Sequence, residues 1–105
     1  MHWTVSFHEA AKAEADALSL DLKARLERLV GLIRVQGLER LPTNTAKHMT
    51  GDLWELRVKG KDGIARAFYV TRTGRRLVII RVFVKKTQKT PPREIKLALK
   101  RATEV

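Results

Sequence analysis

The chain has 105 residues, of which 44% are hydrophobic and none is cysteine, so a packed core is affordable but a disulfide framework, a thiolate zinc site and a cysteine nucleophile are excluded. Its formal net charge is +11, and the charge is lopsided: residues 1–56 hold seven basic and eight acidic side chains, residues 57–105 fifteen and three. No apolar run approaches the roughly 18 residues of a membrane span and the first twenty residues lack a signal-peptide core, so one cytoplasmic domain over residues 1–105, off the membrane, is expected.

Trp3, Val5 and Phe7 alternate with Thr4 and Ser6, which predicts a short strand over residues 2–7 with one buried face. From His8 the composition turns to Ala, Glu and Lys, good helix formers, with Ala11, Ala15 and Leu18 as a thin apolar stripe. Ser19 can cap a second helix, in which Leu22, Leu26, Leu29, Val30 and Ile33 recur at helical spacing until Gly37 stops it. Residues 38–52, with Pro42, Asn44 and Gly51, have no period and read as a connecting loop.

Three strand-like runs follow: Leu53–Lys59, Ile64–Thr71 and Arg76–Lys85. They are separated by turns centred on Asp62-Gly63 and Thr73-Gly74. Thr90 precedes Pro91 and Pro92, a cap followed by prolines in a first helical turn, and Ile95, Ala98, Leu99 and Ala102 line one face of that closing helix. The order β-α-α-β-β-β-α predicts an α+β fold. It comprises a small, twisted, largely antiparallel four-stranded sheet, an N-terminal helical hairpin and a C-terminal helix, with the helices on one face.

Strand side chains point alternately to opposite faces. Val78, Ile80, Val82 and Val84 form one apolar face, which places Leu77, Ile79, Arg81, Phe83 and Lys85 on the other. Likewise Trp54, Leu56 and Val58 face the core, and Glu55, Arg57 and Lys59 face away. Two-residue turns put Lys59 opposite Arg66, Arg57 opposite Phe68, Arg66 opposite Arg81 and Ala65 opposite Val82, with Ala65, Ala67 and Tyr69 inward. Lys59, Arg66 and Arg81 then stand in one row, with Arg57 one pleat away. Opposed like charges cost up to ~1 kcal/mol per pair, so such a row suggests a bound anion; the plainer alternative is a solvated face. Phe83 either stacks a nucleobase among these cations or packs beneath a loop on Ile64 and Ile79.

The segments GDLWELRVKGKDGIARAFY and VFVKKTQKTPPREIKLALKRA, above all LWELR at 53–57 and FVKKTQKTPPREI at 83–95, resemble the phage-derived HigB-type toxins of the RelE/ParE superfamily. The likeness covers nearly the whole chain. It implies a small antiparallel sheet cradled by helices and metal-independent endoribonuclease activity, with no cofactor, on mRNA in the A site of the small ribosomal subunit. It also implies silencing by a cognate antitoxin, expected to be a small helix-turn-helix protein encoded next door.

Carried over by position, Glu55 and Arg57 match the family's polar pair, Arg66 its arginine on the next strand, and Phe83, Lys85 and Lys86 the end of the last strand. Some relatives have a late tyrosine or histidine for proton transfer; this chain has none after Tyr69. Because RNA supplies its own 2′-hydroxyl nucleophile, the protein must orient it, deprotonate it and stabilise charge. Arg57, Arg66 and Arg81 suit a scissile phosphate, Glu55 is the candidate general base unless it pairs with Arg57 or Lys59, and Lys85 or Lys86 can protonate the leaving oxygen. Lys59, Phe83, Lys86, Lys89 and Arg93 are candidate RNA contacts, and His48 is a further titrating group just before the sheet. Three scattered histidines predict no metal site. The competing readings are a ParE-like gyrase inhibitor and a basic nucleic-acid-binding module without activity.

Overall fold

Side-chain periodicity switches in step with the backbone. In a computed structural model describing residues 2–61, 63–86 and 89–105, the alternating N-terminal segment is strand β1 (Thr4–Phe7), followed by helices α1 (Glu9–Asp16) and α2 (Leu20–Gln36). Strands β2 (Ala46–Thr50), β3 (Leu53–Gly60), β4 (Gly63–Arg72) and β5 (Arg76–Val84) and helix α3 (Pro92–Ala102) complete the chain. Helix α2 starts where the sequence predicts: the Ser19 hydroxyl accepts a hydrogen bond from the Leu22 amide at 3.3 Å. It ends at Gly37, whose φ of +98° is open to glycine and strained for other residues.

The sheet has five strands in the order β1-β5-β4-β3-β2, one more than expected. The extra strand is β2, which pairs antiparallel with β3 inside the segment read as a loop. As an edge strand with no fully buried residue, it has no alternating apolar signature to read. Strand β1 runs parallel to β5, and the other pairings are antiparallel.

The helices do not all lie on one face. Leu22, Leu26, Val30 and Ile33 of α2 and Ala11 and Ala15 of α1 pack with Leu56, Val58, Ala65, Ala67, Tyr69 and Val82 in one core. A second core on the opposite face joins Phe68, Val70, Val78 and Ile80 to Ala98 of α3, with Phe83, Ile95 and Ala102 alongside. Leu99, expected on the inner side of α3, is exposed.

The register also differs from the two-residue-turn expectation. Arg57, not Lys59, is paired with Arg66, and Lys59 with Ile64. Gly60 pairs with Gly63, and Asp62 lies outside the described residues. The turn is pinned by Asp21 of α2, whose Oδ2 accepts from the Lys61 amide at 2.7 Å. Gly60 permits that approach, since a Cβ there would lie 2.5 Å from Asp21 Oδ2. A slip of two residues preserves the faces, so the β3 and β4 side chains point as the alternation predicts.

In β5 they do not. Tyr69 pairs with Ile79 but Phe68 with Arg81, so Ile80 is an extra residue and the strand is bulged. Leu77 and Ile79 face α1 and α2 before the bulge and Val82 after it, whereas Val78 and Ile80 face α3. The unbroken apolar run from Leu77 to Ile80 conceals the change of face. Beyond the end of β1, side chains satisfy the open edge of β5: the Val82 amide donates to Glu14 Oε1 at 3.1 Å, and Arg101 Nη1 donates to the Ile80 carbonyl at 3.0 Å.

Candidate active site

The register builds the site on the α3 face of the sheet. Arg57, Arg66 and Phe83 are cross-strand neighbours on β3, β4 and β5, and Glu55, Phe68 and Arg81 form the adjacent row. The predicted row of Lys59, Arg66 and Arg81 therefore does not exist. Phe83 lies opposite Arg66 in place of Arg81, and Lys59 sits nearer the β3–β4 turn, away from the pocket.

Arg66 forms the floor. It is only 7% exposed, and its Nη1 donates to Glu55 Oε2 at 3.0 Å and to the Thr90 hydroxyl. Its Nε is buried and has no acceptor among the described residues. Glu55 is 1% exposed. A substrate hydroxyl cannot reach a carboxylate so covered, and the expectation that Glu55 is the general base gives way to its alternative, an ion pair, made with Arg66 rather than Arg57 or Lys59. Glu55 orients Arg66 and neutralises it in part.

Above this floor opens a pocket of about 320 Å³. Phe83 and Val84 form one wall and the Thr90–Glu94 segment the other, with Lys85, Lys86, Lys89 and Arg93 around it. Arg57, Lys85, Lys86 and Arg93 make no ion pair among the described residues. Lys85 is tied into the sheet through its amide, which donates to the Ile64 carbonyl at 2.7 Å. Desolvation, then the charges of Arg66 and Arg57, hold its ammonium below the usual lysine range. Phe83 packs edge-on against Phe68, with ring centroids 5.3 Å apart. It thus belongs partly to the core, but it also lines the pocket.

Arg81 departs from its expected role. Its Nε and Nη2 grip Glu94 at 2.7 and 3.0 Å, and its Nη1 grips Glu14 at 2.6 Å. The Glu94 hydrogen bonds, offset in part by burial and helped by the charge of Glu14, push its pKa further up. With both edges of its fork engaged and two carboxylates beside it, Arg81 lines the pocket but ties α1, β5 and α3 together, its charge met by Glu94 and Glu14.

His48 lies across the sheet from the site: it pairs with Trp54, stacks edge-on against it at 5.1 Å and hydrogen-bonds the Gly51 carbonyl. Tyr69 faces the helix-side core, where burial pushes its hydroxyl up to about 12. Neither ring can transfer a proton at this pocket.

The residue that sequence reasoning missed is Thr90. Read as a helix cap, it instead holds Arg66, and α3 begins after Pro91 with no side-chain cap. Part of a signal was present: with Thr90 as the cap, Pro92 falls at the second helical position and has no N–H to donate, which leaves the Arg93 amide as the one capping donor.

A family model described as Phage derived protein Gp49-like (DUF891) matches residues 13–103. The chain belongs to the Gp49-like family. No curated protein matches it, but solved structures do. This Gp49-like chain is similar to the Escherichia coli toxin RelE, solved in the free state as a double arginine-to-alanine mutant. That match has 18% identity and a TM-score of 0.66, covering 96% of this chain and 98% of the other. It is also similar to a chain of the archaeal RelE–RelB complex from Pyrococcus horikoshii OT3, at 18% identity and a TM-score of 0.55, covering 80% of this chain and 96% of the other. The Gp49-like chain thus takes the RelE fold, in keeping with the resemblance to phage-derived toxins read from the sequence.

Proposed function

We propose that this chain is a HigB-type toxin of a toxin–antitoxin pair and cuts mRNA in the A site of the small ribosomal subunit, in the cytoplasm. The observation that carries the reading is Arg66: a guanidinium held by Glu55 and Thr90 at the floor of a pocket whose surroundings are cationic. A positioned, permanently charged fork beneath an open pocket suits a phosphodiester whose charge grows in the transition state. The RelE fold and the family's phage origin support it.

The chemistry divides among few groups. Arg66 and Arg57, adjacent across the β3–β4 pair, grip the non-bridging oxygens of the scissile phosphate. The 2′-hydroxyl attacks the phosphorus, and the bond to the 5′-oxygen breaks to leave a 2′,3′-cyclic phosphate. Lys85, with its lowered pKa, gives its proton to the departing 5′-oxygen. Phe83 offers the nearest aromatic surface for a base, and Lys86, Lys89 and Arg93 hold the flanking backbone. Water or the ribosome takes the 2′-hydroxyl proton, since Glu55 is covered. The partner that silences the chain is a cognate antitoxin, a small helix-turn-helix protein encoded beside it, in keeping with the RelE–RelB complex among its structural neighbours.

Primer extension on mRNA from cells expressing the chain tests this reading. Cuts within translated codons are expected. Intact mRNA together with loss of DNA supercoiling would transfer the chain to the gyrase-inhibiting class; intact mRNA with normal supercoiling would leave a binding module.

A further inference from the structure

Helix α3 shows two faces. Toward the sheet it turns Glu94, Ile95, Ala98 and Ala102, with Arg101 reaching Glu14 and the Ile80 carbonyl. At 100° per residue the opposite face is centred between Lys96 and Lys100 and includes Arg93. All three cations are exposed, and none has an ion-pair partner among the described residues. The helix's one carboxylate, Glu94, points inward to Arg81.

This arrangement works against the helix itself. Lys96 and Lys100 are a like-charge pair at i,i+4, which destabilises a helix. Arg93 stands in the first turn, the positive end of the macrodipole, where an acid would be favoured. Only Lys100, in the last turn, is placed well for the helix. Three cations aligned on one face, two of them poorly placed for helix stability, are accounted for by an anion they share. The stripe is also continuous with the site, because Arg93 lines the pocket and is its first member. From Arg93 to Lys100 it runs about 10 Å along the helix axis.

We infer that the outward face of α3, through Lys96 and Lys100, is a second RNA-binding surface that receives phosphodiester backbone leaving the pocket and supplies affinity without chemistry. It rests on the reading of the pocket as an RNA site. The occupant is the bound strand itself, because Arg93 joins the stripe to the pocket.

The test uses the full chain carrying Lys96→Gln and Lys100→Gln. Binding is measured across a potassium chloride series to two probes, a short single-stranded RNA and small ribosomal subunits without mRNA. Loss of two phosphate contacts makes the dependence of log Kd on log salt shallower by about 1.4 with single-stranded RNA. The Lys96→Arg, Lys100→Arg chain keeps the wild-type slope, and the thermal midpoint of the glutamine chain does not fall. A shallower slope with the oligonucleotide assigns the surface to the substrate strand; one with subunits alone overturns that assignment in favour of ribosomal RNA. Slopes unchanged with both probes, or lost equally in the arginine chain, overturn the inference. Binding is read without cleavage, so a wild-type chain that cuts nothing yet shows the stripe-dependent slope loses the nuclease reading and keeps this surface.

Discussion

Arg66 and Glu55 are one functional unit at the floor of the pocket, and a substitution at either acts on both. Removing the guanidinium by Arg66→Ala strands a carboxylate that is 1% exposed, at a cost of about 3 kcal/mol. Loss of growth inhibition in that variant would therefore confound fold with chemistry. Arg66→Lys separates them. It keeps a cation beside Glu55 but lacks the planar fork, so the chain is expected to stay folded while mRNA cutting drops by about a hundredfold, comparable to losing a transition-state donor. A folded, fully active Arg66→Lys chain would show that bidentate recognition has no part here.

Lys85 makes a second prediction at this scale. Desolvation and the neighbouring charges of Arg66 and Arg57 lower its pKa, so its ammonium loses its proton at lower pH than an unperturbed lysine. An acid that must donate is used up as pH rises through that lowered value, so cutting fails on the alkaline side. In an NMR titration Lys85 is expected to titrate below its ordinary value of 10.5, and Arg57→Gln, by removing a positive neighbour, is expected to move it up. A Lys85 resonance indifferent to Arg57→Gln would separate the two groups.

Alongside the apolar packing of α3, one ionic knot joins three elements. Glu14 of α1 takes hydrogen bonds from Arg81, Arg101 and the Val82 amide, and Arg81 also binds Glu94 of α3. Arg81→Ala is therefore expected to lower stability by about 2 kcal/mol, read as a shifted urea midpoint, because it leaves two largely buried carboxylates short of a partner. Burial raises the pKa of Glu14, but the Arg101 hydrogen bond, the Val82 amide and the nearby arginine charges outweigh it and bring the net value down. Its contribution is thus present above the ordinary value of 4.5 and lost as pH falls through the depressed one, and Glu14→Gln is expected to flatten that acid limb. This knot shows where the sequence stops being legible. Helix α2, its Ser19 cap and the faces of β3 and β4 follow from local spacing, which is why Arg57 and Arg66 could be placed together. Arg81 could not be placed, because its partners lie 67 and 13 residues away and the bulge at Ile80 hides in an apolar run. Strand β2 went unread because an edge strand needs no alternation. Thr90 was given to the helix because its true partner, Arg66, lies 24 residues away.

For the molecule as a whole, the uneven charge along the chain becomes uneven charge in space. The acids that balance residues 1–56 lie largely on α1 and α2, where Asp16 meets Lys12 and Lys23 and Asp21 meets Arg25. The excess cations come from β3, β4, β5 and α3, on the opposite face. At a net charge of +11 the fold repels itself, most strongly around the pocket where Arg57, Arg66 and Lys85 converge without a full set of acids. Simple salt is expected to raise the thermal midpoint between about 0.01 and 0.2 M, as the screening length contracts from about 30 to below 10 Å. Inorganic phosphate at low millimolar concentration should add a separate increment by occupying the pocket, since a ligand that binds only the native state stabilises it by mass action. Arg57→Gln is expected to keep most of the chloride response and to lose the phosphate increment, read as two melting series on the same chain. If phosphate stabilises both chains equally, Arg57 takes no part in holding it; if it stabilises neither, the pocket holds no free phosphate.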